Sequence, residues 1–227
     1  MRQLFLSHDV YFCCCGDSLV FLDLNRDDYV LVDGELAQAV EALCSQDGCE
    51  SFTSAAVLSP MLTNGFLTTD PLAGKSVAPT TVEPGLVALL DPDELPGTHI
   101  RSLDVFHFLS SCLAAAIQLK WRPLSEVIRL VKQRKMSSTS LHLPSIDQSR
   151  QLTAVFLKLR ALFPSNYLCL YDSLALIHFL ARYGIYPSWI FAVNLEPWAA
   201  HCWVQDGATL FNEGVEEAAR YTPVMAI

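Results

Sequence analysis

The residues able to carry out nucleophilic chemistry gather in the last third of this 227-residue chain. Cys169 follows Pro164-Ser165-Asn166 and opens a stretch, Cys169 to Tyr183, whose apolar residues recur at helical spacing until Gly184 closes it. A thiol in the first turn of a helix meets unpaired N–H groups and the positive end of the helix dipole, and both favour the thiolate. Further on, His201 lies in Ala200-His201-Cys202-Trp203-Val204-Gln205, which reads as a strand. Side chains alternate along a strand, so His201, Trp203 and Gln205 share one face while Cys202 and Val204 take the other. Singly, a buried cysteine and a strand histidine more often serve packing than catalysis. In this order, a helix packed on the sheet can bring thiol and imidazole into hydrogen-bond range, with Cys169 as nucleophile and His201 as base. Cys202, pointing away from its neighbour, is not the nucleophile in this reading.

A third group should orient the imidazole from the strand that returns beside His201. If Asp206-Gly207 is a two-residue hairpin turn, residue 212 falls opposite 201 and nominates Asn212, a Cys-His-Asn arrangement. A bulge or a three-residue loop shifts the register by one and brings Glu213 instead.

These groups need a frame, and the pattern of the chain predicts an α+β protein. Leu4 to Cys13, Ser18 to Leu24 and Tyr29 to Val32 read as three strands, separated by Gly16-Asp17 and by Asn25 to Asp28. Helices from about Glu35 to Cys44 and Thr53 to Thr63 follow, the second capped by Asn64-Gly65, then a short strand Phe66 to Thr68. This describes a small winged-helix-like domain over residues 1–80. Prolines at 84, 92 and 96 make 81–100 a linker. Residues 101–227 form the second domain. Its helices run from about Ser102 to Lys135, broken near Pro123, from Ile146 to Phe163, and from Cys169. Strands Ser188 to Leu195, Ala200 to Gln205 and one ending at Asn212 complete it.

Composition narrows the function. A formal net charge of −9 argues against nucleic acid or an anionic membrane as the ligand. The amino terminus lacks the apolar core of a secretory signal. The stretch Leu103 to Trp121 contains Asp104, His107, Ser110, Ser111 and Gln118 and is expected to be a buried helix rather than a membrane span. Eight cysteines without framework-like spacing suggest reduced thiols and a cytoplasmic protein. Cys13, Cys14 and Cys15 alternate faces, no C-x-x-C pair occurs, and no metal is assigned.

The segments Cys169-Leu-Tyr-Asp-Ser-Leu-Ala-Leu, Tyr183-Gly184-Ile185 and Pro197-Trp-Ala-Ala-His201-Cys-Trp-Val resemble, in order and spacing, the B proteins of lasso-peptide biosynthesis. These are transglutaminase-like, papain-like cysteine proteases that remove the leader from a precursor peptide. The resemblance implies Cys169 as nucleophile and His201 as base. It also implies an aspartate twelve residues after the histidine; Glu213, one methylene longer, stands there and is preferred over Asn212 because a carboxylate stabilises the imidazolium better than an amide. Many members carry arginine three residues beyond the cysteine; here the residue is Asp172. The first 70 residues are similar to the precursor-recognition element of these proteins. That similarity implies that the leader adds as a strand beside Tyr29, Val30, Leu31 and Val32. The implied partners are a lasso precursor and an asparagine-synthetase-like cyclase. ATP has been associated with the family, but no phosphate-cradling glycine loop occurs here, so no cofactor is assigned. Two other activities use the same parts: acyl transfer to an amine of transglutaminase type, and non-catalytic precursor binding.

Overall fold

Alternating apolar residues and tight turns shape the first part of the chain. In a computed structural model, which describes residues 3–45, 55–90, 97–137, 145–163 and 168–227, Phe5–Ser7 forms β1, Val10–Cys15 β2, Ser18–Asp23 β3 and Asp28–Val32 β4. The β2–β3 hairpin pairs Cys15 with Ser18 across Gly16-Asp17, and Gly16 takes the left-handed φ of 63° that such a turn requires. β4 adds to β3 to give the order β2-β3-β4. Chain contacts group residues 1–82, 195–198 and 222–225 into one unit.

The single strand expected from Leu4 to Cys13 is in fact two. Leu4 and Leu6 keep one buried register, Val10 and Phe12 another, and the turn at His8-Asp9 breaks the alternation between them. β1 therefore leaves to form a second sheet, β5-β1-β6, with Leu67–Thr68 (β5) and Gly74–Lys75 (β6). Helices Gly34–Ser45 (α1) and Ala55–Thr63 (α2) complete this unit; residues 53 and 54, where α2 was expected to begin, lie outside the described residues. The end of α2 follows the Asn64-Gly65 signal: Phe66 N–H donates to Met61 O at 2.9 Å, Gly65 N–H to Leu62 O at 3.1 Å, and Gly65 has φ 76°. Phe12 stacks on Phe21 with ring centroids 4.9 Å apart, and Val40, Leu43 and Leu58 pack in the same core. Each such side chain contributes about 1.5–3 kcal/mol relative to exposure.

The second unit holds residues 83–194, 199–221 and 226–227. Its elements are Val87–Ala88 (β7), Ser102–Trp121 (α3), Leu124–Met136 (α4), Ile146–Ala161 (α5), Cys169–Ala181 (α6), Ser188–Leu195 (β8), Trp198–Asp206 (β9), Thr209–Leu210 (β10) and Val215–Ala218 (α7); the last strand, Thr222–Ala226 (β11), is grouped with the first unit except for Ala226. The sheet order is β11-β8-β9-β10-β7. Pro123 stands as N-cap of α4, and Ser145 caps α5 by accepting from Gln148 N–H at 3.1 Å. Ser173 to Ala181 of α6 are all buried, so α6 is the central helix.

Two expectations for this unit are corrected. Residues 83–90, assigned to a linker, join the sheet: β7 runs parallel to β10, and Leu89 N–H donates to Leu210 O at 2.7 Å. Gly85 lies so close to Leu210 that a Cβ there would sit 2.6 Å from its Cδ2, which explains a glycine at that point. Residues 91–96 lie outside the described residues.

The second correction concerns α3, which is long and apolar enough to cross a membrane by length and composition. It is not the buried helix expected: only 28% of its apolar window is buried. Its polar residues face the protein instead. Asp104 is buried against Arg101 and Tyr183, and Gln118 bonds His178 at 2.9 Å. Leu103, Phe106, Leu109, Leu113, Ile117 and Trp121 are the exposed ones. Composition cannot reveal this, because Asp104 and Gln118 meet Tyr183 and His178, partners distant in sequence.

Candidate active site

Cys169 is the first residue of α6, and its side chain is exposed. As the first helical residue, its N–H has no acceptor within the helix. The helix start is held by Asp172, whose Oδ2 accepts the Leu168 N–H at 2.9 Å while Oδ1 pairs with Nε of Arg160. Arg160, on α5, is 1% exposed. A carboxylate one turn from a thiol would oppose its ionisation, and the buried guanidinium offsets that charge. Pro164-Ser165-Asn166, which precede Cys169, lie outside the described residues.

His201 is on β9, and its Nε2 meets Glu213 Oε2 at 2.5 Å. The hairpin register differs from both sequence alternatives. The turn residues are Gly207 and Ala208, Asp206 pairs with Thr209, and Gln205 with Leu210. Continuing that register would set residue 214, not 212 or 213, opposite 201. The strand ends at Leu210 and the chain bends away, and this bend carries Glu213 to the imidazole. Glu213 Oε1 accepts the Gly214 N–H at 2.9 Å, which fixes the carboxylate plane. Asn212 is placed elsewhere. Its Oδ1 accepts Val204 N–H at 2.8 Å and its Nδ2 donates to Ser173 Oγ at 3.1 Å, so it ties strand to helix. Rings of Tyr221 and Trp203 flank His201, with centroids at 5.1 and 5.9 Å.

Cys169 and His201 line the same cleft, and each shifts the ionisation of the other. Nε2 is engaged by Glu213, which leaves Nδ1 for the thiol. Strand alternation does turn Cys202 away from His201, but it does not take Cys202 out of the site. It points Cys202 at α6, where it lines the same cleft as Cys169. Hydrogen bonds from Cys202 and His201 lower the Cys169 pKa to about 4. Bonds to Cys169 and Glu213 raise that of His201 to about 9. Between those values the pair is a thiolate and an imidazolium. Phe156, Leu157, Arg160, Asp172 and Asn212 join these residues around an open cleft of about 330 Å³.

A chemical test follows from these shifts. Cys13, Cys14, Cys44 and Cys112 have thiols pushed upward, chiefly by burial. Iodoacetamide at about pH 6 is therefore expected to alkylate Cys169 at least about tenfold faster than any of them. The Cys169 rate should fall only as pH drops toward 4. Peptide mapping reads the result, and uniform labelling would mean that Cys169 is not ionised.

Tyr29, Val30, Leu31 and Val32 lie in β4 of the other unit and are not part of this constellation. Among the described residues no group of His, Cys, Asp and Glu is arranged to hold a metal ion. Sequence reasoning missed Arg160 and the Ser173–Asn212 bond. An arginine amid the apolar run of α5 was the available signal for the first; the second left none.

A family model for the transglutaminase-like superfamily matches residues 108–226, a span that includes Cys169, His201 and Glu213. No curated protein and no solved structure matches the chain. Across more than half its length, and with a cysteine-bearing helix on an antiparallel hairpin, the chain belongs to the transglutaminase-like superfamily.

Proposed function

We propose that the chain is a cytoplasmic cysteine endopeptidase that binds the leader of a lasso-peptide precursor, cleaves leader from core, and supplies the core to an asparagine-synthetase-like cyclase. The observation that carries this reading is the gathering of Cys169, His201 and Glu213 at one open cleft, with His201 held by Glu213 at 2.5 Å. Residues 1–80 act as the recognition domain. In support, β4 lies at the edge of its sheet and Leu31 is half exposed on it, so a peptide can add as a further strand. Tyr29 packs edge-on against Trp198 at 5.9 Å, which stiffens the same strand.

The chemistry follows from the charges. The Cys169 thiolate attacks the carbonyl of the last leader residue, and the Cys169 N–H faces the oxyanion. Imidazolium His201 then protonates the leaving amine of the core, giving a thioester. Neutral His201 next takes a proton from water, which hydrolyses the acyl-enzyme and restores the ion pair. Glu213 holds the ring and stabilises its charged form throughout.

Incubating the full chain with a synthetic precursor in heavy-oxygen water tests this. The expected products are a core with a free amine and a leader whose new carboxylate carries one heavy oxygen. Transfer of the leader to an added amine as the main product would instead assign acyl transfer. Binding without either product would leave a chaperone. Leu31→Asp is expected to weaken leader binding by about tenfold, measured by fluorescence anisotropy, with the Cys169 alkylation rate unchanged. Unaltered affinity would remove β4 from recognition.

A further inference from the structure

We propose that Cys202 is the resolving thiol of the site, so that peroxide oxidation of Cys169 ends in a reversible Cys169–Cys202 disulfide. The inference holds for leader cleavage and acyl transfer alike, because it rests on the cleft alone. Cys169 and Ser173 lie one turn apart on the same side of α6. Ser173 Oγ donates to the Cys202 backbone carbonyl at 3.3 Å, which seats β9 against that side. Both cysteines line the cleft, and each thiol acts on the ionisation of the other.

Cys202 itself is 3% exposed, so peroxide reaches Cys169 first. Its sulfur also has the surroundings of a latent anion. The Trp189 indole N–H, buried and without a hydrogen-bond acceptor among the described residues, stands beside it. The indole favours the Cys202 thiolate, while the largest influence against it is the neighbouring Cys169. That influence disappears once Cys169 is oxidised to a neutral sulfenic acid.

The steps balance. The Cys169 thiolate displaces hydroxide from hydrogen peroxide, forming an S–O bond and, with one proton, a sulfenic acid and water. The Cys202 sulfur then attacks the Cys169 sulfur. Its proton leaves with the displaced hydroxide as a second water, and the S–S bond closes. Peroxide is the oxidant, and an added dithiol reverses the reaction. Cys13 and Cys15 form an internal comparison, with sulfurs 3.7 Å apart. Cys13 is held as the thiol by burial and by its neighbours, so this pair lacks an ionised partner to start the reaction.

The experiment treats the full chain with dilute hydrogen peroxide, alkylates the remaining thiols, and maps peptides by mass. The expected result is a linked Cys169–Cys202 peptide, with Cys169 alkylation fully recovered after dithiothreitol. In Cys202→Ser, Cys169 should instead advance to the sulfinic acid, and recovery should drop by about tenfold or more. If that variant does not fold, the linked peptide in the unaltered chain decides the matter. Sulfinic acid at Cys169 in the unaltered chain, or a disulfide confined to Cys13 and Cys15, would overturn the proposal.

Discussion

Cys169→Ala is expected to lower the cleavage rate by a factor on the order of 10⁶ while leaving leader affinity within about twofold. The loss is nearly total because this one sulfur is both the attacking atom and the acyl carrier, and no neighbouring group can replace it. Cys202 shares the cleft, but it is buried, its thiol is kept protonated, and it faces away from His201. Affinity should survive because the strand assigned to the leader belongs to the other unit. Single-turnover cleavage by mass and anisotropy with a labelled leader separate the two quantities. Turnover within about a hundredfold of the unaltered chain would reject the thiol mechanism.

Glu213→Gln is expected to lower the rate by about 10²- to 10⁴-fold with leader binding intact. Glutamine preserves length and can still accept a hydrogen bond from Nε2, so the ring stays near its position. What is lost is the negative charge that helps to hold the His201 pKa at about 9. Activity requires the thiolate and the imidazolium together, so the profile falls on the acid side near the Cys169 pKa and on the alkaline side near that of His201. Removing a carboxylate that raises the imidazole pKa must move the alkaline limb to lower pH and narrow the profile. Asn212→Ala should behave differently, because its amide spans Val204 and Ser173 and does not contact His201. It is expected to cost about 1–2 kcal/mol of stability with a smaller change in rate and no shift of the limb. A Glu213→Gln enzyme with an unmoved alkaline limb would remove the carboxylate from the mechanism.

The parts of the site that depend on local pattern were legible in the sequence. A cysteine opening a helix and a histidine on an alternating strand each follow from residue types a few positions apart, and α6, β8 and the α2 cap lie close to where the pattern puts them. Glu213 came from a family motif and not from register. The hairpin turns one residue later than Asp206-Gly207 suggests, because Gly207, at φ 53°, is the first turn residue rather than the second. Cys202 shows the limit in another way. Alternation gave its face correctly but not what that face meets, which depends on how α6 packs on the sheet. The polar inner side of α3 and the Arg160–Asp172 pair were hidden for the same reason: each is a compensation between elements, and hydropathy scores one element at a time.

Cys169, His201 and Glu213 all lie between residues 169 and 213, on one helix, one strand and the bend after the next. Bringing them together closes only short loops, so the entropy lost in assembling the constellation is small compared with that of closing the whole sheet. The outer parts of the frame come from far along the chain in both directions. β7 reaches β10 from residues 87–88, and Ile227 exchanges two backbone hydrogen bonds with Trp189, at 2.8 and 3.1 Å. The reacting groups thus form a contiguous cassette, and the long-range contacts act as a clamp around it. Changes at the clamp alter how tightly the cassette is held, while its wiring is written within the cassette itself.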